Sequence, residues 1–210
     1  VMSPFSLPVM QMGFDKYIEL MIEDPDLFNM LMQKNQEFCI NWANAQLDAG
    51  ATAICYFDPV ASSTITPPAM YKKTGYKVAM QTLSKIKGPT ATHMASGSCL
   101  PVIDLIAKTG TAAIATSFKE DPGDVKNMVK GQISLIGNLN GISMRHWSMK
   151  ETEETVKQVL AKSATGGGFI LSDNHEEIPW QVPDDVLMAI SKAVHKWGNY
   201  PLEWITGYDS

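Results

Sequence analysis

The polar side chains best suited to chemistry in this sequence each stand at the end of a short apolar stretch. Two of them are Asp58, which follows residues 51–57, and His93, near the end of residues 90–94. Farther along the chain, similar places are taken by Ser117, Asn138 and His175. The length of residues 51–57 and their β-branched and aromatic content predict a strand that is buried on both faces, and the other stretches are likewise predicted to be strands. If the strands are parallel, their carboxyl ends meet at one edge, and we expect these side chains to converge there.

Each candidate has a chemical interpretation and a structural one. The His93 imidazole suits a metal ligand or a proton carrier, or else it is a strand-end histidine hydrogen-bonded in the core. Asp58 can bind a metal, a proton or a ligand hydroxyl, or it forms the turn that ends its strand. His175 lies in an acidic loop beside Glu176 and Glu177, where the charges raise its basicity or orient it, or where the loop is simply solvated.

The elements that must position these side chains alternate between strand and helix. Strands are predicted at residues 51–57, 90–94, 112–118, 133–139 and 169–172, and helices at residues 15–23, 27–47, 69–86, 99–108, 124–131, 150–163 and 184–197. This alternation is typical of βαβ architecture, with a parallel sheet covered by helices. The length favours one domain over residues 1–210. A closed eight-stranded barrel needs about 250 residues, so either the sheet is open or its leading strands precede this sequence.

Helical spacing also predicts which faces are buried. In the helix at residues 27–47, the predicted apolar face consists of Leu27, Phe28, Leu31, Phe38, Trp42 and Ala45. The thirteen methionines are interpreted mainly as core filling.

The composition and charge of the sequence argue against several classes of protein. A net charge of -5 and a pI near 5.3 argue against nucleic-acid binding, which needs a clustered basic excess. Three widely spaced cysteines do not make a disulfide framework and fit a reducing, cytoplasmic setting. The sequence has no apolar run long enough to cross a membrane.

Five short segments carry a family resemblance. Residues 3–7 read S-P-F-S-L, residues 48–51 D-A-G-A and residues 58–62 D-P-V-A-S; residues 136–140 read I-G-N-L-N and residues 167–172 G-G-F-I-L-S. In this order and spacing they resemble the uroporphyrinogen decarboxylase superfamily, and its corrinoid-linked methyltransferase branch in particular. The resemblance implies a (β/α)8 TIM-barrel fold, of which this chain covers only about the later five or six β/α units. Such a piece would need the missing N-terminal half, or a partner such as a second copy, to cover its open edge.

The resemblance also implies an activity and a site. In that branch a zinc ion is held by an H-x-C motif and a later cysteine; His93 matches the first ligand, Ala95 replaces the cysteine, and His175 stands at the third position. It implies a methyltransferase that moves a methyl group between a small donor or acceptor and a corrinoid carried by a partner protein. Asp58, His93 and His175 are the expected catalytic residues and metal ligands, with zinc as a Lewis acid. Asn138 and Ser117 are the expected substrate-binding residues.

Two alternatives remain open. The first is a cofactor-free tetrapyrrole decarboxylase, which needs arginines to hold carboxylates, whereas Arg145 is the only arginine in the sequence. The second is a non-catalytic scaffold that binds a corrinoid protein.

Overall fold

Strands and helices alternate along the chain, as the sequence predicts. The computed structural model describes residues 1–174 and 178–208. Its strands are β1 (Ile54–Phe57), β2 (Thr90–His93), β3 (Ala113–Ala115), β4 (Ser134–Leu139) and β5 (Phe169–Asp173). Its helices are α1 (Leu7–Met12), α2 (Phe14–Glu23), α3 (Pro25–Asp48), α4 (Pro68–Lys73), α5 (Gly75–Leu83), α6 (Ile103–Ile106), α7 (Pro122–Val129), α8 (Met149–Ser163) and α9 (Asp184–Trp197).

The chain forms two compact units, Val1–Ile114 and Ala115–Ser210, whose boundary falls inside β3. The first unit has the strand order β1-β2-β3, and the second has β3-β4-β5. β1 and β2 pair in parallel, with Phe57 opposite His93, and so do β4 and β5, with Asn138 opposite Ser172. The prediction of parallel strands is confirmed, while the single domain over residues 1–210 stays a prediction.

Helix ends follow the local signals in the sequence. Asp24 accepts a hydrogen bond from the backbone of Leu27 at the start of α3, and Pro25 takes the first helical position. Ser148 and Glu151 form the predicted capping box at the start of α8.

The buried face of α3 differs from the predicted one. Its buried residues are Phe28, Met32, Asn35, Cys39 and Ala43, whereas Leu27, Phe38 and Trp42 are about half exposed. Cys39 and Ala43 join the core cluster of Ile54 and Tyr56 in β1. Asn35 is accommodated because its carboxamide exchanges two hydrogen bonds with that of Gln11, at 3.0 and 3.1 Å. The buried side of α3 therefore combines small and paired polar side chains with Phe28 and Met32, and several large apolar side chains lie outside it.

The helix predicted at residues 69–86 is two helices, α4 and α5, separated at Thr74. Gly75 begins α5 in close contact with two aromatic rings, since a Cβ atom there would lie 2.8 Å from Tyr71 and 2.9 Å from Phe5. The single-helix prediction is wrong because Thr74 leaves the helical conformation, with φ of -117° and ψ of -89°. The helix predicted at residues 99–108 is likewise shorter and consists of α6 preceded by a 3-10 turn.

Two predictions about burial are corrected. Met21 and Met32 are buried, but Met30, Met80, Met128 and Met188 are substantially exposed, so core filling does not explain these four. β1 is not buried on both faces, since Cys55 is exposed between buried Ile54 and Tyr56.

Across residues 1–174 and 178–208, no helix combines the length and apolar character that a membrane span requires.

Candidate functional site

Asp58 and His93 lie next to each other at the carboxyl ends of β1 and β2. The backbone N–H of Asp58 donates to the carbonyl oxygen of His93 at 2.7 Å, which extends the parallel ladder by one residue. The two residues therefore reach the same edge of the sheet in the first unit, where ligands bind in parallel α/β folds.

Their side chains leave opposite faces of that sheet. Phe57 pairs with His93 in register, and the two rings lie 5.8 Å apart on one face. Side chains alternate along a strand, so Asp58, the next residue, points to the other face. There its side chain is almost completely buried. The structure thus brings the two residues together through their backbones, with their functional groups separated by the sheet.

The Asp58 carboxylate is held by two serine hydroxyls. Ser3 and Ser6 each donate from Oγ to Oδ1 at 2.6 Å. Ser6 in turn accepts the backbone N–H of Val60 at 3.0 Å. Burial raises the pKa of Asp58 to about 6, although the serine hydrogen bonds act in the opposite direction. Asp58 is therefore a proton-binding group near neutral pH that also fixes the segment after β1.

His93 is oriented by the loop that follows it. The backbone N–H of Ala95 donates to Nδ1 at 3.0 Å, and Ala95 adopts a left-handed conformation with φ of 51°. A neutral imidazole whose Nδ1 accepts a hydrogen bond carries its proton on Nε2. The ring consequently presents Nε2–H as a donor at the sheet edge.

The loops after β1 and β2 support each other. Ser63 donates its backbone N–H to the carbonyl of Ser98 at 3.0 Å, and the backbone N–H of Ser98 donates to Thr64 Oγ1 at 3.1 Å. A Cβ atom on Gly97 would lie 2.1 Å from Ser62 Oγ, so only glycine permits this approach. The segment anchored by Asp58 thereby buttresses the loop that orients His93.

In the second unit, Asn138 holds the loop after β3. Its Nδ2 donates to the carbonyl oxygens of Ser117 at 3.0 Å and Glu120 at 2.9 Å. Ser117 Oγ accepts the backbone N–H of Lys119 at 3.3 Å. Ser117 and Asn138, the two predicted substrate-binding residues, thus make hydrogen bonds that shape the loop after β3. Their contact with a substrate stays a prediction.

The residues described do not make a zinc site. Ala95 replaces the second expected ligand, the Nδ1 of His93 accepts a backbone N–H, and Asp58 faces the serines. Within residues 1–174 and 178–208, no three His, Cys, Asp or Glu side chains are grouped to hold a metal. His175, the remaining predicted ligand and catalytic residue, lies outside the described residues, so zinc stays a prediction that depends on it.

Sequence reasoning missed Ser3, Ser6, Ser62 and Gly97. Ser3 and Ser6 are in the S-P-F-S-L segment, and Ser62 ends D-P-V-A-S. No pattern within either segment predicts that the two segments contact each other. The sequence contains one signal that the Asp58 and His93 side chains leave opposite faces of the sheet. Side chains alternate along β1, so Phe57, which pairs with His93, and Asp58 point to different faces.

Comparison with known proteins adds a family and a fold. Residues 1–197 match the family model described as uroporphyrinogen decarboxylase. Curated relatives with the name uroporphyrinogen decarboxylase include one from Idiomarina loihiensis, 26% identical over 195 residues, covering 88% of this chain and 52% of the relative. Another, from Actinobacillus pleuropneumoniae, is 26% identical over 197 residues, covering 88% and 54%. This chain therefore spans about half the length of these relatives.

A solved structure named as a methyltransferase from Methanosarcina mazei superposes with a TM-score of 0.84. It is 20% identical, and the match covers 94% of this chain and 57% of the other. At this identity the likeness shows the fold alone. It confirms the predicted α/β barrel type, of which this chain forms a part.

Proposed function

Because the chain belongs to the uroporphyrinogen decarboxylase family, we propose that it transfers a methyl group from a small donor to a corrinoid carried by a partner protein. The observation that supports this most directly is the orientation of His93, whose Nε2–H is directed by the Ala95 hydrogen bond to Nδ1. The heteroatom that loses its methyl group gains negative charge, and a fixed imidazole N–H can stabilise that charge by a hydrogen bond.

His93 is the proposed hydrogen-bond donor to the leaving group. As the bond between the methyl carbon and its oxygen or nitrogen breaks, the bonding electrons stay on the heteroatom, and the Nε2–H of the neutral imidazole stabilises the developing negative charge by a hydrogen bond. The corrinoid cobalt supplies the electron pair of the new bond to carbon. The Phe57 ring, 5.8 Å from the imidazole, offers an apolar neighbour for the methyl group. Water then protonates the heteroatom, and His93 keeps its Nε2 proton throughout.

Asp58 acts as a positioning residue in this scheme. Its carboxylate lies on the other face of the sheet and anchors the segment that leads to Ser62, beside Gly97. Ser117 and Asn138 fix the loop after β3 in the second unit. We assign no step to a zinc ion, and we retain His175 as an expected site residue and the cytoplasm as the expected location.

Decarboxylation of a tetrapyrrole is the second candidate, favoured by the names of the curated relatives. Against it, Arg145 is the only arginine in the sequence; its Nε donates to His146 Nε2 at 3.0 Å in an exposed 3-10 turn. Because bidentate arginines are the preferred partners of carboxylates, a substrate with many carboxylates finds little support in this chain.

The test is to incubate the purified protein with cob(I)alamin and a panel of methoxy and methylamino compounds, and to follow methylcobalamin by its absorbance. We expect one compound to react and His93→Ala to lower its rate at least about 100-fold. His146→Ala, which removes an exposed histidine, serves as the matched control and should react normally. Release of carbon dioxide from uroporphyrinogen without methyl transfer would overturn the proposal, and so would tight binding of a corrinoid protein without turnover.

A further inference from the structure

The second unit contains a groove of about 300 Å³ between α8 and α9, and the proposed methyl transfer does not use it. Ala189 and Ala193 lie at its base, one helical turn apart on α9, and their small side chains leave space between the two helices. Met188 of α9 and Met149 of α8 form its sides, and they are 56% and 46% exposed. We call this space the α8–α9 groove. Its volume suits a small organic molecule.

Two of the charged residues that line the α8–α9 groove compensate each other. The Glu153 carboxylate lies 2.8 Å from the Lys196 ammonium. The same carboxylate accepts the indole N–H of Trp197 at 2.8 Å. Because the ion pair joins α8 to α9, the groove is preformed, and a ligand has to order few side chains.

The other two charged residues of the α8–α9 groove are Asp185 and Lys192. Asp185 lies in the first turn of α9, Lys192 lies two turns farther along, and both are exposed. Within residues 1–174 and 178–208, neither side chain takes part in an ion pair or a hydrogen bond. The two residues are about 10 Å apart along the helix axis. The groove therefore offers a carboxylate and an ammonium whose charges are not compensated.

Apolar surface separates these two charges. Met188 and Ala189 lie between Asp185 and Lys192 on α9, and Met149 faces them from α8. The unbranched methionine side chains can adapt to the shape of a methylene chain. An exposed ion pair alone contributes little to binding, so a ligand that uses both charges and the apolar surface has the advantage over one that uses a single charge.

We propose that the α8–α9 groove binds an ω-amino carboxylate, a chain of methylene groups with an ammonium at one end and a carboxylate at the other. The ligand's ammonium lies against Asp185, its carboxylate lies against Lys192, and its methylene groups contact the methionines. This goes beyond methyl transfer, since binding here needs neither a reaction nor a corrinoid. The proposal therefore stands or falls separately from the role of His93.

The test is an NMR titration of the purified protein with 6-aminohexanoate, hexylamine, hexanoate and glycine, followed by the backbone amide signals of residues 185–193. We expect 6-aminohexanoate to bind at least about threefold more tightly than hexylamine or hexanoate, because each of these lacks one of the two charges. Glycine should bind more weakly by a similar factor, since its charges are too close together to reach both Asp185 and Lys192. Equal affinities for 6-aminohexanoate and any of the other three would overturn the proposal, and so would no change in these amide signals.

Variants at the two charged positions then locate the ligand. Lys192→Gln should weaken the binding of 6-aminohexanoate about threefold or more but should not weaken that of hexylamine, which has no carboxylate. Asp185→Asn should weaken the binding of 6-aminohexanoate but not that of hexanoate, which has no ammonium. Asp184→Asn is the matched control, since Asp184 is the neighbouring carboxylate in the first turn of α9 and does not line the groove. Unchanged affinity for 6-aminohexanoate in Lys192→Gln or Asp185→Asn protein would place the ligand elsewhere and overturn the assignment.

Discussion

The hydroxyl of Ser6 donates to Asp58 Oδ1 at 2.6 Å and joins two segments that are 52 residues apart in the chain. Ser3 makes the same bond at the same distance. These are the segments S-P-F-S-L and D-P-V-A-S, which carry much of the family resemblance. Their polar residues therefore have a shared structural purpose, which is to fix the end of β1 beside the His93 loop.

The buried Asp58 carboxyl should make the stability of the protein depend on pH. Its pKa rises from 3.8 to about 6 on folding because burial disfavours the charged form. Between these values the folded state binds a proton that the unfolded state lacks, so the contribution is full below about pH 4 and is lost as pH rises through about 6. Two pKa units correspond to about 3 kcal/mol in the free energy of unfolding. Urea titrations between about pH 4 and pH 7 measure this slope.

Asp58→Asn should flatten the slope, because an amide does not titrate. Asp104→Asn, at an exposed position in α6, is the matched control and should keep it. If Asp58→Asn leaves the pH dependence of unfolding unchanged, another group is responsible and the buried carboxyl does not titrate in this range.

Gly75→Ala should destabilise the protein although it lies in a helix. Alanine in place of glycine usually stabilises a helix by up to about 1 kcal/mol. Here the added Cβ would lie 2.8 Å from Tyr71 and 2.9 Å from Phe5, so the rings must shift. We expect a net loss of about 1–3 kcal/mol in the free energy of unfolding, measured by urea titration. Lys77→Ala, at an exposed position of α5, is the control, and a stabilised Gly75→Ala protein would show that the rings yield freely.

Features determined by neighbouring residues could be predicted from the sequence. The Ser148–Glu151 capping box and the Asp24 cap of α3 depend on residues three positions apart, and the structure has both. The β/α order and the parallel pairing of β1 with β2 also follow from local patterns. For the same reason the sequence predicts that Asp58 and His93 reach one edge.

Features determined by distant residues could not be predicted in this way. Gly75 lies against the ring of Phe5, which is 70 residues away in the sequence, and the buried Asn35 depends on its pairing with Gln11. The apolar face predicted for α3 is wrong because the size of a side chain and the presence of a hydrogen-bond partner, as well as hydropathy, decide which residues of the helix are buried. Within the site, two serines near the start of the sequence are the partners of Asp58, and no spacing rule connects them.

Lys157 should hold the C-terminal residues against α8 through its charge. Its ammonium lies 4.4 Å from the ring centre of Trp197, 5.6 Å from Trp204 and 4.6 Å from Tyr208. Lys157→Met keeps the apolar stem and removes the cation, so we expect a loss of about 1 kcal/mol or more in the free energy of unfolding. Lys157→Arg should retain most of it. Tryptophan fluorescence during urea titration follows the change directly.

Lys192→Met is the control for this prediction, since Lys192 is exposed on α9 and has no aromatic contact of this kind in the described part of the chain. Equal stabilities for Lys157→Met and the unaltered protein would mean that apolar packing around Trp197 alone holds the C-terminal residues.

Two substitutions of His93 should separate its structural contribution from its chemical one. Asparagine can accept the Ala95 N–H through its side-chain oxygen, as in an Asx-turn, whereas alanine cannot. His93→Ala should therefore lose about 1 kcal/mol of stability, while His93→Asn should lose less. Both should lower methyl transfer at least about 100-fold, because alanine has no N–H and the shorter asparagine does not reach the position of Nε2–H. Urea titration and the cobalamin assay measure the two effects on the same samples, with His146→Asn as the control. Full activity in His93→Asn would mean that the Nε2 proton takes no part in the reaction and that His93 serves only to shape its loop.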